Sequence, residues 1–254
     1  MVDQGGKAYK RRTLIYANVC LFCRESVFVC IKYIDNFYYK EYNSSIDSVL
    51  KGEIGMFWDR VSGLYDLFET VYNGKVYRGL GKRIAEEIGQ DDIVLECACG
   101  TGAISKYIAP KCKQLIATDF SKGMLKQTSR NCRKYSNIKI KRADMTQLKC
   151  RDNRFDKVVA GNVIHLLEEP YAALKELERV CKTGGKIIIP TYINASKGVN
   201  HMAVRLLEVA GANFKRQFDI NSYKKFFEDA GYQNVDYYIV QGRMPCAVAI
   251  ITKQ

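Results

Sequence analysis

The sequence predicts an α/β fold in which strands and helices alternate around a parallel sheet. The clearest evidence is the stretch IVLECACGTGAIS, residues 93–105, which reads as a buried strand, a loop of small residues and the start of a helix. Strand and helix patterns then alternate along the chain, which is typical of parallel sheets. The chain has 254 residues, of which 47% are apolar, so one domain with a sizeable core is expected.

The predicted elements follow one another from residue 56. Asn73 and Gly74 form a turn between two opening helices. Short apolar runs mark the strands and amphipathic patterns mark the helices. The predicted strands are 92–96, 114–118, 137–141, 155–160 and 185–190, with a closing pair, NVDYYIVQ and CAVAIIT, that turns at Gly242 and Arg243. The predicted helices are 57–72, 75–88, 102–109, 121–135, 170–181, 199–210 and 221–230.

The end of the first predicted strand carries a carboxylate, Glu96, just before the small residues Ala98, Gly100 and Gly102. Small side chains let the backbone approach a ligand closely, and open α/β sheets bind nucleotides at the carboxyl ends of their strands. Glu96 would repel the pyrophosphate of a dinucleotide. S-adenosylmethionine instead carries an ammonium and a sulfonium, and its ribose hydroxyls need a second acid, for which Asp119 is the candidate. The sequence therefore predicts S-adenosylmethionine as the cofactor.

Several segments after this loop strengthen the prediction because they follow in a fixed order. They are LIATDFSKGML, RADMTQL, FDKVVAGNVIHLLEEP and LERVCKTGGKIIIPTY. Together they resemble the class I S-adenosylmethionine-dependent methyltransferases, specifically the small-molecule branch related to the ubiquinone/menaquinone-biosynthesis enzymes. The resemblance covers roughly residues 56–253. It implies a Rossmann-like, seven-stranded, mostly parallel sheet with helices on both faces and an antiparallel last strand.

The resemblance also implies a set of cofactor contacts. Asp119 would bind the ribose hydroxyls and Asp144 the adenine amino group, while Tyr65 would lie in an opening helix that folds over the cofactor. Asp144 could instead be a helix cap, and Met124 could be ordinary core. The full predicted set is Tyr65, Glu96, Ala98, Gly100, Gly102, Asp119, Phe120, Ser121, Met124, Asp144, Met145 and Asn162.

His165, just beyond the fourth predicted strand, is the candidate catalytic base, because the unperturbed pKa of histidine suits neutral pH. The alternative is that it only lines the pocket. Methyl transfer from a sulfonium is an in-line displacement, so alignment of the reactants can supply most of the acceleration. Trp58, Tyr72, Tyr192 and His201 are weaker candidates for the acceptor pocket.

Residues 1–55 differ from the rest in composition and show no sustained helical or strand period. Lys51, Gly52 and Glu53 are what a ribosome-binding AAAGGAGAA encodes when it is read in frame, shortly before Met56. We expect residues 1–55 to be an extension of doubtful authenticity and residues 56–254 to be the methyltransferase domain. An authentic N-terminal cap over the site is the alternative.

The formal net charge of +13 would suit RNA, an anionic lipid surface or a negatively charged metabolite. Enzymes that methylate amino groups of nucleic-acid adenine resemble sites with an Asn/Asp-Pro-Pro-aromatic turn after the fourth strand, whereas Val163 and Ile164 follow Asn162 here. The sequence therefore favours a small-molecule or lipid-like acceptor over nucleic acid. An RNA methyltransferase and a catalytically silent cofactor-binding protein remain as alternatives.

The ten cysteines are scattered, and no convincing signal peptide precedes them, so we expect reduced thiols and a cytoplasmic location. The apolar segment 13–23 is too short for a membrane span. Cys20 and Cys23 form a CxxC, but no second ligand pair lies nearby, so no metal site is predicted. The oligomeric state stays open.

Overall fold

The computed structural model describes residues 58–59, 62, 73–194 and 215–254. All of these residues fall in one unit of the chain, Glu53–Gln254. Residues 1–55, nearly all of the predicted helix 57–72 and the whole of the predicted helix 199–210 lie outside the described residues. The boundary predicted at Met56 therefore stays a prediction.

Seven strands in the described part of the chain form one sheet, with the spatial order β3-β2-β1-β4-β5-β7-β6. The strand β7 runs antiparallel to both of its neighbours, β5 and β6, and every other described pairing is parallel. This arrangement confirms the predicted fold class, including the antiparallel last strand. The strands are β1 (Ile93–Cys97), β2 (Gln114–Asp119), β3 (Ile138–Arg142), β4 (Phe155–Ala160), β5 (Cys181–Tyr192), β6 (Val235–Val240) and β7 (Cys246–Thr252).

The helices between the strands lie close to their predicted positions. Three boundaries differ by several residues. The helix predicted over 75–88 ends at Ala85, the helix predicted over 121–135 ends at Asn131, and the helix predicted over 102–109 begins only at Ser105. Gly102 has a φ of 85°, which a right-handed helix cannot contain, so the loop extends three residues further than expected. The helices are α1 (Gly74–Ala85), α2 (Ser105–Ile108), which continues as a 3-10 turn (Ala109–Lys111), α3 (Lys122–Asn131), α4 (Pro170–Val180) and α5 (Ile220–Asp229).

Apolar clusters cover both faces of the sheet. Val94 packs in the cluster that includes Leu80 of α1, whereas its neighbour Leu95 packs in the cluster that includes Leu177 of α4 and Phe227 of α5. Successive side chains of a strand point to opposite faces, so a sheet covered on both sides needs continuous apolar strands. Each fully buried side chain of this kind contributes about 1.5 to 3 kcal/mol to folding. This burial fixes the strand ends that carry the polar residues described next.

No helix within residues 73–194 and 215–254 is long and apolar enough to cross a membrane.

Candidate cofactor-binding site

Three parallel strands bring the predicted site residues to one edge of the sheet. β1 lies between β2 and β4, with Glu96 of β1 in register with Ala117 on one side and Val159 on the other. Asp119 therefore ends β2 beside the end of β1, and Asn162 follows β4 two residues after Ala160. The chain leaves β1 toward β2 and later returns to β4, which makes this edge the switch point where open α/β sheets bind ligands.

The small-residue loop after β1 turns back on itself through three left-handed residues. Ala98, Gly100 and Gly102 have φ angles of 51°, 56° and 85°. Helix α3 anchors the loop, since the hydroxyl of Thr128 donates to the carbonyl of Gly100 at 2.7 Å and the amide of Asn131 donates to the carbonyl of Thr101 at 2.9 Å. Ala98 occupies a conformation that costs glycine little and other residues more. Two hydrogen bonds from α3 thus hold this loop in place.

Glu96 is a buried carboxylate beside this loop. Glu96 is 1% exposed, and the Ser105 hydroxyl donates to its Oε2 at 2.5 Å. Its carbonyl accepts from the hydroxyl of Thr118 on β2 at 3.0 Å. A buried negative charge is expensive unless it is hydrogen-bonded or paired with a positive one. The position therefore suits a ligand that brings a cationic group and disfavours one that brings a phosphate.

Asp119 links the two loops at the edge of the sheet. Its Oδ2 accepts from the backbone N–H of Gly100 at 2.9 Å, and its Oδ1 accepts from the backbone N–H of Ser121 at 2.8 Å. Burial raises the pKa of Asp119, although these backbone donors oppose the rise. A carboxylate whose two oxygens are fixed in this way can accept further hydrogen bonds from two vicinal hydroxyls.

The residues after Asp119 divide between surface and interior. Phe120 is half-buried, and the Arg142 guanidinium lies 4.9 Å from the centroid of its ring. Ser121 is the N-cap of α3, with its hydroxyl accepting from the backbone N–H of Met124 at 3.1 Å. Met124 is only 3% exposed, so packing accounts for most of its surface.

Asp144 makes a local turn at the end of β3. Its Oδ1 accepts from the backbone N–H of Thr146 at 2.9 Å and from the Thr146 hydroxyl at 2.6 Å. Met145 beside it is 7% exposed and packs in the cluster with Leu95 and Leu177. No helix begins among the residues that the structure describes between β3 and β4, so Asp144 closes a turn and does not cap a helix as the alternative had it. Its predicted role in adenine binding stays a prediction.

His165 lies in the interior, 4% exposed, with its Nδ1 2.8 Å from Oγ1 of Thr191 on β5. Burial lowers the pKa of His165 to about 4, so the ring is almost entirely neutral at pH 7. A general base works best when its pKa is near the operating pH. The environment therefore favours the alternative in which His165 shapes the pocket as a neutral ring.

A polar cluster that the sequence did not predict adjoins His165. The Tyr77 and Tyr192 hydroxyl oxygens lie 2.6 Å apart, and the amide of Asn162 donates to the Tyr77 oxygen at 3.3 Å. Asn162 has a φ of 50°, and the thiol of Cys246 on β7 donates to its Oδ1 at 3.5 Å. Tyr192 was a weak candidate for the acceptor pocket, but Tyr77 had no signal beyond its place on an amphipathic helix.

The cysteines beside the loop are interior residues. Cys97 and Cys99 are buried, and burial raises the pKa of the Cys97 thiol to about 12 and that of Cys99 well above its usual range. Both thiols are therefore poor nucleophiles and act as small packing groups. Among the other predicted residues, Trp58 is half-buried, while Tyr65, Tyr72 and His201 lie outside the described residues.

The strand order, the left-handed loop and the acids at the ends of β1 and β2 define the class of S-adenosylmethionine-dependent methyltransferases. Comparison with known families agrees, since residues 95–189 match the family described as a methyltransferase domain. Residues 95–189 are therefore similar to a methyltransferase domain, and S-adenosylmethionine is the cofactor of that class. The resemblance predicted from the sequence is confirmed.

Two curated proteins that are similar to the chain are both named demethylmenaquinone methyltransferase. The protein from Clavibacter sepedonicus is 33% identical over 141 residues, which cover 54% of this chain and 57% of the relative. The protein from Staphylococcus aureus (strain JH9) is 28% identical over 144 residues, which cover 54% of this chain and 59% of the relative. The chain thus matches well under two thirds of the length of these relatives.

Solved structures share the fold at lower identity. A SAM dependent methyltransferase from Aquifex aeolicus aligns with a TM-score of 0.52 and 19% identity, covering 67% of this chain and 88% of that one. The [4+2]-cyclase SpnF aligns with a TM-score of 0.58 and 17% identity, covering 77% of this chain and 95% of that one. At these identities the likeness concerns the fold.

Proposed function

We propose that the chain transfers a methyl group from S-adenosylmethionine to a small-molecule acceptor of the demethylmenaquinone type. The observation that carries the proposal is the joint position of Glu96, the Gly100 backbone and Asp119 at the switch point of the sheet. The name of the curated relatives supports the choice of acceptor. Glu96 disfavours a dinucleotide, because a carboxylate at the end of β1 would repel a pyrophosphate bound there.

The residues present fit the cofactor. Asp119 would accept hydrogen bonds from the ribose hydroxyls, and these donors would offset the burial that raises its pKa. Glu96 would face the ammonium end, and the left-handed loop from Ala98 to Gly102 would let the backbone lie against the ligand. We assign the adenine to the side of Phe120, Asp144 and Met145, which lie at the ends of β2 and β3.

The protein's part in the reaction is positioning. When bound, S-adenosylmethionine supplies an electrophilic methyl carbon for in-line displacement. Fixed residues at the ends of β1, β2 and β4 would hold this carbon in line with the acceptor's nucleophilic atom, and such alignment can lower a barrier by about 7 to 11 kcal/mol. His165, neutral at pH 7, would line the acceptor side together with Thr191 rather than remove a proton.

One observation favours a second candidate, RNA methylation. No acidic residue occurs between positions 121 and 143, and the basic side chains there are all exposed. In the part of the chain that the structure describes, none of them forms an ion pair with an acid. This basic face comprises Lys122, Lys126, Arg130, Arg133, Lys134, Lys139, Lys141 and Arg142.

An assay with methyl-labelled S-adenosylmethionine separates the candidates. Label transferred to demethylmenaquinone, with no label in total RNA, is the result expected. Label in RNA, with binding that falls steeply as salt rises, would replace the proposal by the second candidate, because phosphate contacts make nucleic-acid binding strongly salt-dependent. Cofactor binding without transfer to either acceptor would indicate a protein that uses the fold for another purpose, as the name of the [4+2]-cyclase SpnF illustrates.

A further inference from the structure

A carboxylate outside the strands contacts the residues that follow Asp119, at the start of α3. Asp59 Oδ1 accepts from the Ser121 hydroxyl at 2.5 Å and from the backbone N–H of Gly123 at 2.8 Å. Asp59 belongs to the segment before α1, of which the structure describes residues 58–59 and 62 and which we call the opening segment. Its two partners lie at the N-terminus of α3. The opening segment and the N-terminus of α3 are therefore joined by two charge-assisted hydrogen bonds, which are stronger than hydrogen bonds between neutral groups.

The contact continues directly to the predicted ribose site. Ser121, which donates its hydroxyl to Asp59, also donates its backbone N–H to Asp119 Oδ1 at 2.8 Å. Gly100 fixes the other oxygen of Asp119 at 2.9 Å. The orientation of the Asp119 carboxylate thus depends on the position of Ser121, and Asp59 holds Ser121 through its hydroxyl.

The approach of the opening segment requires glycine at position 123. A Cβ added to Gly123 would lie 2.8 Å from the Cα and 2.8 Å from the carbonyl oxygen of Asp59, and 3.1 Å from the Ser62 hydroxyl. The two contacts with Asp59 are with backbone atoms, which cannot rotate away as the tip of a long side chain could. Ser62 in turn donates its hydroxyl to the Asp59 carbonyl at 3.2 Å, so the segment is braced where it meets α3.

Helix capping alone does not account for this arrangement. Ser121 already caps α3 through the backbone N–H of Met124, as a local N-cap residue does. Although burial opposes it, the hydrogen bonds from Ser121 and Gly123 and the charges of Arg142 and Lys122 lower the pKa of Asp59. Asp59 is therefore an ionised carboxylate. It connects the opening segment, through Ser121, to Asp119, the proposed ribose ligand.

We propose that Asp59 is a positioning residue for cofactor binding, which acts through Ser121 on Asp119 and so couples the opening segment to the ribose site. The inference rests on the proposed function, since it assumes that Asp119 binds the cofactor. Coupling of this kind is reciprocal, so bound cofactor should also stabilise the contact of the opening segment with α3.

Calorimetry with S-adenosylhomocysteine tests the proposal in the full chain. Asp59→Ala should weaken binding by about tenfold or more, while Asp59→Asn, which keeps an acceptor oxygen, should recover most of the affinity. Asp219→Ala is the control, because Asp219 also accepts a backbone N–H at the start of a helix, α5, but is not among the residues proposed to bind the cofactor. Equal affinity in Asp59→Ala and Asp219→Ala would overturn the proposal.

Gly123→Ala gives a second line of evidence that does not depend on the carboxylate. Alanine favours the helical conformation over glycine, so α3 itself should gain stability, while the opening segment is displaced. Weakened binding with an unchanged or raised melting temperature would support positioning, and unchanged binding would count against it. Gly89→Ala is the control, since a Cβ there meets nothing closer than 3.5 Å.

A double-mutant cycle separates action through Asp119 from a general loss of structure. If Asp59 acts through Asp119, the effects of Asp59→Ala and Asp119→Asn on affinity should overlap and fall short of their sum. Additive effects would overturn the proposal. Absence of any binding by the parent chain would instead remove the proposed function, and with it the basis of this inference.

Discussion

Nδ1 of His165 lies 2.8 Å from Oγ1 of Thr191, and this pair joins the loop after β4 to the neighbouring strand β5. The contact holds the ring inside the protein, where burial lowers the pKa of His165 to about 4, so that the ring is neutral at pH 7. The position of this histidine was predictable from the sequence, but its protonation state was not. Two measurable consequences follow, one for stability and one for catalysis.

Acid should destabilise the protein through His165. Its folded pKa of about 4 lies below its unfolded pKa of about 6.5, so the unfolded state binds more protons between these values and stability falls as the pH falls. The full difference is about 3 kcal/mol by linkage. The free energies of unfolding of the parent and of His165→Asn, measured with denaturant between pH 7 and pH 4, should converge as the pH falls. His201→Asn, which changes the chain's other histidine, should track the parent.

Replacement of His165 should affect catalysis only modestly. Loss of a true general base costs about 10² to 10⁴ in turnover, whereas a neutral liner should cost less than about tenfold. His165→Asn is therefore expected to change the acceptor's KM more than kcat and to leave the acid limb of the pH-rate profile in place. Disappearance of that limb in the variant would restore His165 as the base.

Asp119→Ala should weaken binding of S-adenosylmethionine and of S-adenosylhomocysteine alike. The lost hydrogen bonds to a charged acceptor correspond to about 1 to 3 kcal/mol. Calorimetry at fixed salt measures the effect, with Asp236→Ala as the control because Asp236 is an exposed residue of β6. An unchanged affinity would show that Asp119 has only the structural role of joining the loops of Gly100 and Ser121.

Two glycines with similar backbone angles should respond differently to alanine. Gly184 has a φ of 75° with open space around it, so Gly184→Ala should cost about 1 kcal/mol from backbone strain alone. At Gly102, with a φ of 85°, a Cβ would also lie 3.3 Å from Thr128 Cα. Gly102→Ala should therefore cost more, about 2 to 3 kcal/mol, and weaken cofactor binding as well. Equal losses of stability in thermal unfolding for Gly184→Ala and Gly102→Ala, together with equal affinities for the cofactor, would contradict this account.

Much of the fold was predictable because the sheet is buried on both faces. The strand 114–118, for example, has an apolar centre between polar residues, and its pattern needs no knowledge of distant residues. Asp119 was predictable for the same reason, since it directly ends such a run. The loop after β1 was only partly predictable, because the left-handed angles that delay α2 depend on its packing against Thr128 and Asn131 of α3.

The contacts that the sequence could not provide join residues far apart in the chain. Tyr77 and Tyr192 are separated by 115 positions, and Asp59 and Ser121 by 62. Each of these side chains is ordinary in its local context, an aromatic on an amphipathic helix or an acid beside a tryptophan. Their roles arise only when the fold brings them together, so local pattern gives no signal for them.

The position of β7 sets an order for assembly of the protein during synthesis. β6 pairs with no strand of the sheet except β7, which follows it in the chain and inserts between β5 and β6. Residues 246–252 must therefore leave the ribosome before that side of the sheet can form, although β1 to β4 are available earlier. Cys246 of the same strand supplies the thiol that bonds to Asn162. A nascent chain stalled before residue 246 would thus carry the glycine loop and Asp119 but an incomplete wall beside Asn162.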